Sequence, residues 1–139
     1  MAALFGNLFS GTPPTNLGTK AGLLAPCPDS PNCVSSQASD DAHCIAPLAY
    51  TGEATVAMAR LAEVIARQPG ATLVAQRADY IHATFQTPMM GFVDDAEFAA
   101  DPAQQAIELR SASRLGRSDL GVNRKRIEAI RAAFAAEAR

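Results

Sequence analysis

Residues 71–113 constrain the fold most, because they hold four short segments of strand character joined by very short connections. The segments are 71–78, 80–87, 91–99 and 105–113. In YIHATFQT (80–87), apolar and polar side chains alternate, as in a strand with one buried face. Short connections join neighbouring antiparallel strands, whereas parallel strands need a crossover of a dozen or more residues. The sequence therefore predicts a four-stranded antiparallel meander.

A helix is predicted on each side of this meander. In 53–68, apolar residues recur at helical spacing until QPG ends the pattern. The last helix is expected to begin near Leu120, with Ser118 or Asp119 as its N-cap, and to run almost to the end of the chain. Two helices covering one face of the sheet give the α+β class: two layers, in the order helix, four-stranded meander, helix.

The first fifty residues carry six of the prolines, which break regular elements. They are expected to form a flexible segment (1–22) and a long irregular arm (23–50). The arm would pack on a single domain that spans 23–139, since 139 residues suit one compact domain.

The three cysteines leave the redox chemistry open. Cys27 and Cys33 lie in CPDSPNC, and Cys44 follows His43. Reduced thiols, a Cys27–Cys33 disulfide, and a thiol redox or metal role of that pair are the alternatives. A zinc site needs more Cys or His ligands, spaced more closely along the sequence, so neither a metal nor a cofactor is expected.

Charge and hydropathy exclude some partners. The net charge of −2 and the scarcity of aromatic residues argue against nucleic-acid binding. No stretch approaches the length of a membrane span. The opening MAALFGNLFSG lacks the basic start of a secretory signal, which favours a cytoplasmic location. Peripheral association of this opening with a membrane or a partner stays open.

The arginine-rich stretch SASRLGRSDLGVNRKR (111–126) is a candidate ligand site. The exposed N–H groups of the helix start, together with Arg114 and Arg124, suit a small anion. In the alternative, which the residue types favour, Asp119 caps those N–H groups and Asn123 binds a loop backbone.

The meander holds a second set of candidates. Asp94, Asp95 and Glu97 could work as acid or base, but neighbouring strand residues face opposite sides of a sheet. Counting across the last hairpin predicts an ion pair between Asp94 and Arg110. His82 lies on the polar face of its strand, and an imidazole there could act as an acid or base.

Three blocks resemble a known family. They are CPDSPNCVSS (27–36), YIHATFQTPMMGFVDDAEF (80–98) and SASRLGRSDLGVNRKRIEAIR (111–131). In this order they are similar to the bacterial and plastid family known as domain of unknown function 1499. The resemblance implies a small soluble domain, often exported or chloroplast-located, with no accepted activity or cofactor. It also implies that Arg114, Asn123, Arg124, Cys27 and Cys33 are motif residues.

The leading hypothesis is a non-catalytic accessory module that binds an anion, a cofactor headgroup or a protein partner. The candidate ligand-binding residues are Arg114, Asp119, Asn123, Arg124, Arg110, Asp94 and His82. One alternative is a small hydrolase or isomerase that uses His82 or the Asp94, Asp95 and Glu97 group. The other is the redox or metal role of Cys27 and Cys33.

Overall fold

The computed structural model describes residues 9–88 and 90–137. It contains two α-helices, α1 (Ala54–Ala66) and α2 (Val122–Glu137). The strands are β1 (Cys33–Ser35), β2 (Leu48–Ala49), β3 (Ala71–Gln76), β4 (Tyr80–Gln86), β5 (Val93–Asp101) and β6 (Ala106–Ser113), and a 3₁₀ turn covers Pro102–Gln104. The predicted α+β class is confirmed.

The sheet has six strands rather than the predicted four. The meander β3–β4–β5–β6 forms as expected, and all its pairs are antiparallel. Strands β1 and β2 come from the proline-rich arm and pair with different parts of β6, so that Cys33 lies opposite Ala112 and Leu48 opposite Ile107. Strands of two or three residues between prolines carry no alternating pattern, which is why the sequence did not reveal them.

Both helices contribute to the main apolar core on one face of the sheet. Phe85, Phe98 and Ile107 project from the strands and are fully or almost fully buried. The helices contribute Met58, Leu61, Ile65, Ile127, Ile130 and Phe134 to the same core. Burial of each large apolar side chain stabilises the fold by about 1.5–3 kcal/mol.

Helix α2 begins at Val122, later than the predicted start near Leu120. The Asp119 carboxylate accepts the backbone N–H groups of Gly121 (2.8 Å) and Asn123 (2.9 Å), as expected of a capping side chain. Leu120 lies in the turn before the helix, at a positive φ of 55°, and its side chain is 86% exposed. Leu120 therefore precedes the helix and takes no part in its buried face.

The predicted pairing of Asp94 with Arg110 was wrong. Asp94 lies opposite Ser113, and Arg110 lies opposite Glu97. Strand β5 continues to Asp101, and Gln105 takes a left-handed conformation (φ 50°), which moves the hairpin further along the chain. The shift in pairing is three positions, an odd number, so Asp94 and Arg110 belong to opposite faces of the sheet.

Candidate functional site

Five charged or titratable side chains gather on the sheet face opposite the helices. They are His82, Asp95, Glu97, Arg110 and Arg114, called here the charged cluster. Alternation along β4, β5 and β6 places them there, because their strand neighbours fill the apolar core. His82, Asp95, Glu97 and Arg110 are all buried, with Glu97 only 1% exposed. Charged side chains are seldom buried to this extent unless they are paired.

Asp95 holds two basic side chains. His82 Nε2 donates to Asp95 Oδ1 at 2.8 Å. Arg114 donates through Nε to Oδ2 at 2.7 Å and through Nη2 to Oδ1 at 3.1 Å, a bidentate pair. Burial alone would raise the pKa of Asp95, but the hydrogen bonds from His82 and Arg114 outweigh it and hold that pKa below its ordinary value. The same pair raises the pKa of Arg114.

Glu97 is only partly satisfied. Its Oε2 accepts the backbone N–H of Gly18 at 2.7 Å and the hydroxyl of Tyr80. Burial, and then the Glu97 carboxylate, raise the pKa of Tyr80, which keeps the phenol protonated as a donor. Oε1 of Glu97 is buried and has no hydrogen-bond partner among the described residues. A buried unpaired carboxylate oxygen is costly.

Arg110 is the counterpart of Glu97 on the next strand. The two residues are direct partners in the β5–β6 register. Arg110 Nη2 makes a long contact of 3.4 Å to the carbonyl of Pro26, and its Nε is buried without a partner in the described part of the chain. Burial lowers the pKa of Arg110, although Glu97 and Asp95 oppose that effect. The site thus contains two neighbouring opposite charges, each with one unused polar atom.

An irregular stretch, residues 15–27, covers the charged cluster and is called here the cover segment. It is attached to the sheet by the Gly18 and Pro26 bonds described above, by packing of the buried Leu24 against Tyr80 and Ala99, and by a disulfide between Cys27 and Cys33. It is also bonded to the side chain of Gln37, which follows β1, through Leu24 N (2.9 Å) and the Gly22 carbonyl (3.1 Å). Cavities of about 690, 360 and 380 Å³ are lined in part by its residues. The segment is therefore attached at a few points rather than packed along its length.

The other candidate residues lie at the start of α2. The fully buried Asn123 accepts the Ser111 hydroxyl (2.6 Å) and donates to the carbonyl of Asn32 (3.2 Å). Backbone and side-chain N–H groups of Asn123 also outweigh the burial of Asp119 and lower its pKa. These contacts match the capping alternative, in which the helix start is already occupied.

Arginines around this helix start also have protein partners. Arg126 forms an ion pair with Asp94 at 2.8 Å. Arg124 donates to the carbonyls of Cys44 (2.9 Å) and Ala42 (3.3 Å), which fastens the helix to the arm. Neither guanidinium is held open for an external anion in this arrangement.

The comparison with protein families gives one match. The sequence model described as Protein of unknown function (DUF1499) matches residues 23–134, which include every strand and α1 and most of α2. The chain belongs to the DUF1499 family. No curated protein matches this DUF1499 chain significantly. No solved structure does either.

The DUF1499 domain separates the sequence candidates into three places. His82, Arg110 and Arg114 meet in the charged cluster, while Asp119 and Asn123 lie at the start of α2 with Asp94. Arg124, in the first turn of α2, points to the arm and bonds its carbonyls. Asp94 faces the helices and Asp95 the opposite side, so the three carboxylates of the meander do not form one site.

Tyr80 and the backbone of Gly18 were not anticipated in the site of this DUF1499 domain. Tyr80 stands two positions before His82 on the same strand, so alternation would have placed it on the charged face. Gly18 comes from the region expected to be a flexible segment, of which residues 1–8 lie outside the described chain. Nothing in the sequence around Gly18 signals a contact with a strand 79 positions away.

The cysteines of the DUF1499 domain have separate environments. Cys27 and Cys33 form a disulfide with a Cα–Cα distance of 5.7 Å, which ties the cover segment to β1. Cys44 is a free, exposed thiol. Within residues 9–88 and 90–137, no group of three or more potential metal ligands is found. No helix in these ranges is long and apolar enough to cross a bilayer.

Proposed function

We propose that this DUF1499 protein is a non-catalytic binding module that takes a small polar ligand at the charged cluster, beneath the cover segment. One observation carries the proposal: Glu97 and Arg110 are direct partners in the β5–β6 register, and Glu97 Oε1 and Arg110 Nε are both buried without partners among the described residues. Leaving two such groups unpaired costs about 1–3 kcal/mol each. A ligand that supplies both missing partners recovers that cost on binding.

The chemistry of the two unused atoms defines the ligand class. Arg110 offers an N–H donor to an anionic group, and Glu97 offers an acceptor to an N–H donor or ammonium group. Facing side chains on paired strands start about 5 Å apart, so the ligand carries its two groups on one or two carbons. An α-amino acid zwitterion has this arrangement. Arg114 takes no part, because Asp95 already occupies its guanidinium.

The environment of His82 supports binding over the hydrolase or isomerase alternative. A histidine that activates a nucleophile holds it within hydrogen-bond reach. Nε2 of His82 is engaged by Asp95, and no hydroxyl or thiol in the described ranges is bonded to the His82 ring. The carboxylates offered as the other catalytic group are divided between two faces of the sheet.

Access to the cluster requires movement of the cover segment. The Gly18 N–H of this segment bonds the other Glu97 oxygen, Oε2, and its Pro26 carbonyl contacts Arg110 Nη2. Few contacts and adjoining cavities make local opening inexpensive relative to global unfolding. The proposed ligand enters beside this segment and is enclosed when the segment returns.

Thermal unfolding of the full-length chain tests the proposal. The probes are free glycine, alanine and serine, each compared with acetate and methylammonium, which carry only one of the two charges. A zwitterion at about a hundred times its Kd stabilises the fold by about 2.7 kcal/mol, which raises Tm by several degrees. The single-charge compounds are expected to leave Tm unchanged.

Two variants locate the effect. Glu97→Gln removes the charge that holds the ammonium group and should abolish the gain in Tm. Glu108→Gln is the matched control, because Glu108 lies on the same face of β6 but is bonded by Ser36. The proposal is wrong if no zwitterion raises Tm, or if the gain persists in Glu97→Gln.

A further inference from the structure

A second surface, unrelated to the charged cluster, lies where the loop after β4 meets the turn before α2. It is formed by exposed apolar side chains, called here the apolar edge: Met90, Phe92, Leu115, Leu120 and Val122. Four of them, all except Met90, line one cavity of about 330 Å³. Contiguous exposed apolar surface of this kind marks interaction sites in proteins.

Leu120 is the most prominent member of the apolar edge. It is 86% exposed, the largest exposure among the large apolar residues described, and its backbone lies in the left-handed region. Leucine rarely adopts this conformation, which costs about 1–2 kcal/mol. The backbone N–H groups of Leu120 and Gly121 donate to Ser118 Oγ (3.3 Å) and Asp119 Oδ1 (2.8 Å), and these bonds stabilise the turn that carries the leucine. The turn presents an apolar side chain instead of burying it.

Positive charge borders the apolar edge without neutralisation. Arg117 lies between the lining residues Leu115 and Leu120, and Lys125 lies one helical turn after Val122. Neither side chain has a partner within the described ranges. The nearby carboxylates are already engaged, because Asp119 caps α2 and Asp94 pairs with Arg126. The protein is acidic overall, so this excess of positive charge is local.

The N-terminal part of the chain reaches the same edge. The ring of Phe9 packs on Phe92 with centroids 5.1 Å apart, and Gly11 lies against the side chains of Arg114 and Leu115. The chain around Phe9 and Gly11 therefore lies beside the apolar edge.

We infer that the apolar edge docks this protein on the surface of an anionic lipid bilayer. A protruding apolar tip flanked by free cations is the combination that interfacial binders use, since the apolar side chains enter the acyl boundary and the cations meet the headgroups. A second copy of the chain is a poorer occupant. A symmetric dimer through this patch would bring Arg117 and Lys125 of both copies together.

Co-sedimentation of the full-length protein with lipid vesicles tests this inference. Vesicles of phosphatidylcholine with about a third phosphatidylserine are compared with pure phosphatidylcholine, at low and high salt. Binding is expected only to the anionic vesicles, and it should weaken with salt. Leu120→Glu should lower the partition coefficient about tenfold or more, because it removes an inserted leucine and adds a negative charge. Arg117→Ala and Lys125→Ala should each lower it about fivefold.

Two further variants make the result decisive. Leu120→Gly suits the positive φ, so it removes the apolar side chain without threatening the fold and should also lose binding. Val74→Glu changes another exposed apolar residue, on β3 and away from the edge, and should bind like the unmodified protein. Failure to bind anionic vesicles overturns the inference, as does equal loss in Val74→Glu. A concentration-dependent dimer that Leu120→Glu dissolves, with no vesicle binding, would assign the edge to a second copy instead.

Discussion

One face of the sheet is packed by two helices, and the other is covered by an irregular segment of chain. Beneath the helices lie Phe98, Ile107 and their neighbours, in continuous contact. Beneath the cover segment lie buried charges, among them Glu97 and Arg110 with unused polar atoms. The side chains on the two faces are buried to a similar extent, but different interactions stabilise them. Apolar packing stabilises one side, while hydrogen bonds, ion pairs, a disulfide and only a small apolar cluster of Leu24, Tyr80 and Ala99 stabilise the other.

The contrast suggests a division of roles between the two faces. A face packed with interlocking apolar side chains resists opening, because every displaced residue loses contacts. A face covered by a segment with few attachments can open locally while the rest of the fold stays intact. The following predictions test this division, from the largest expected effect to the smallest.

The largest effect is expected from Phe98→Ala on the helix-covered face. Phe98 is fully buried, and its truncation leaves a cavity that the rigid core cannot close. The free energy of unfolding should fall by about 4 kcal/mol in urea denaturation. Val74→Ala, at an exposed position of β3, should change it by no more than about 0.5 kcal/mol. A loss below about 1 kcal/mol in Phe98→Ala would mean that the two faces are equally adaptable.

Asp95→Asn should lower the free energy of unfolding by removing the central carboxylate of the charged cluster. It leaves Arg114 and His82 facing a neutral amide, and removal of one partner of a buried ion pair costs about 3 kcal/mol. The pKa of Asp95 is lowered below its usual 3.8, so its stabilisation is complete above that pH and is lost as pH falls through the folded-state value.

Urea denaturation between pH 2 and pH 7 measures this effect. The curves of unfolding free energy for the unmodified protein and for Asp95→Asn should lie apart at neutral pH and converge in acid. Parallel curves at every pH would show that the Asp95 ion pair contributes nothing to the acid sensitivity of the charged face.

Cys27→Ser should loosen the cover segment alone. The disulfide joins two cysteines that are six positions apart, and its loss should lower the free energy of unfolding by about 2 kcal/mol. Hydrogen exchange should accelerate at the Gly18 and Leu24 amides, which bond to Glu97 and Gln37. The amides of α1 should keep their protection. Cys44→Ser, at the exposed free thiol, is the control without effect. Faster exchange throughout α1 would contradict the independence of the two faces.

The smallest effect concerns the arm near β1. The two ring nitrogens of His43 contact the Ser30 carbonyl and the Asp40 carboxylate. Both contacts raise the pKa of His43 above 6.5, and the carbonyl has the larger effect. A raised histidine pKa stabilises the fold fully below pH 6.5, and this contribution is lost as pH rises through the folded-state value. The urea midpoint should fall slightly over that range in the unmodified protein and fall less in Asp40→Asn, which keeps the Ser30 contact but loses the carboxylate. An identical slope in both would exclude this pair as the cause.

The sequence predicted the elements with strong periodicity. The α1 pattern and the alternation in β4 led to correct elements, because each buries a regular face. Alternation also implied that Asp94 and Asp95 part to opposite faces, as they do. These features depend on residues close together in the chain.

Other features depend on contacts between distant residues and were missed. The register of β5 and β6 depends on the left-handed Gln105, which no residue preference signals, so the partner of Arg110 was misassigned. Pairing of β1 with β6 joins positions that are far apart in the chain, and it has no local signature. The unpaired atoms of Glu97 and Arg110 depend on these distant contacts, so the sequence could not predict them.

The pairing of β1 with β6 also orders events during synthesis. The cover segment and β1 leave the ribosome before the meander, yet Ala112, the partner of Cys33 in β1, lies in β6 and is synthesised later. Loop closure over such a separation is slow compared with local hairpins. The meander β3–β4–β5 can therefore assemble while Glu97 still faces water. The cover segment closes over the charged cluster after β6 has emerged. Newly made chains therefore pass through an interval in which the charged cluster is open.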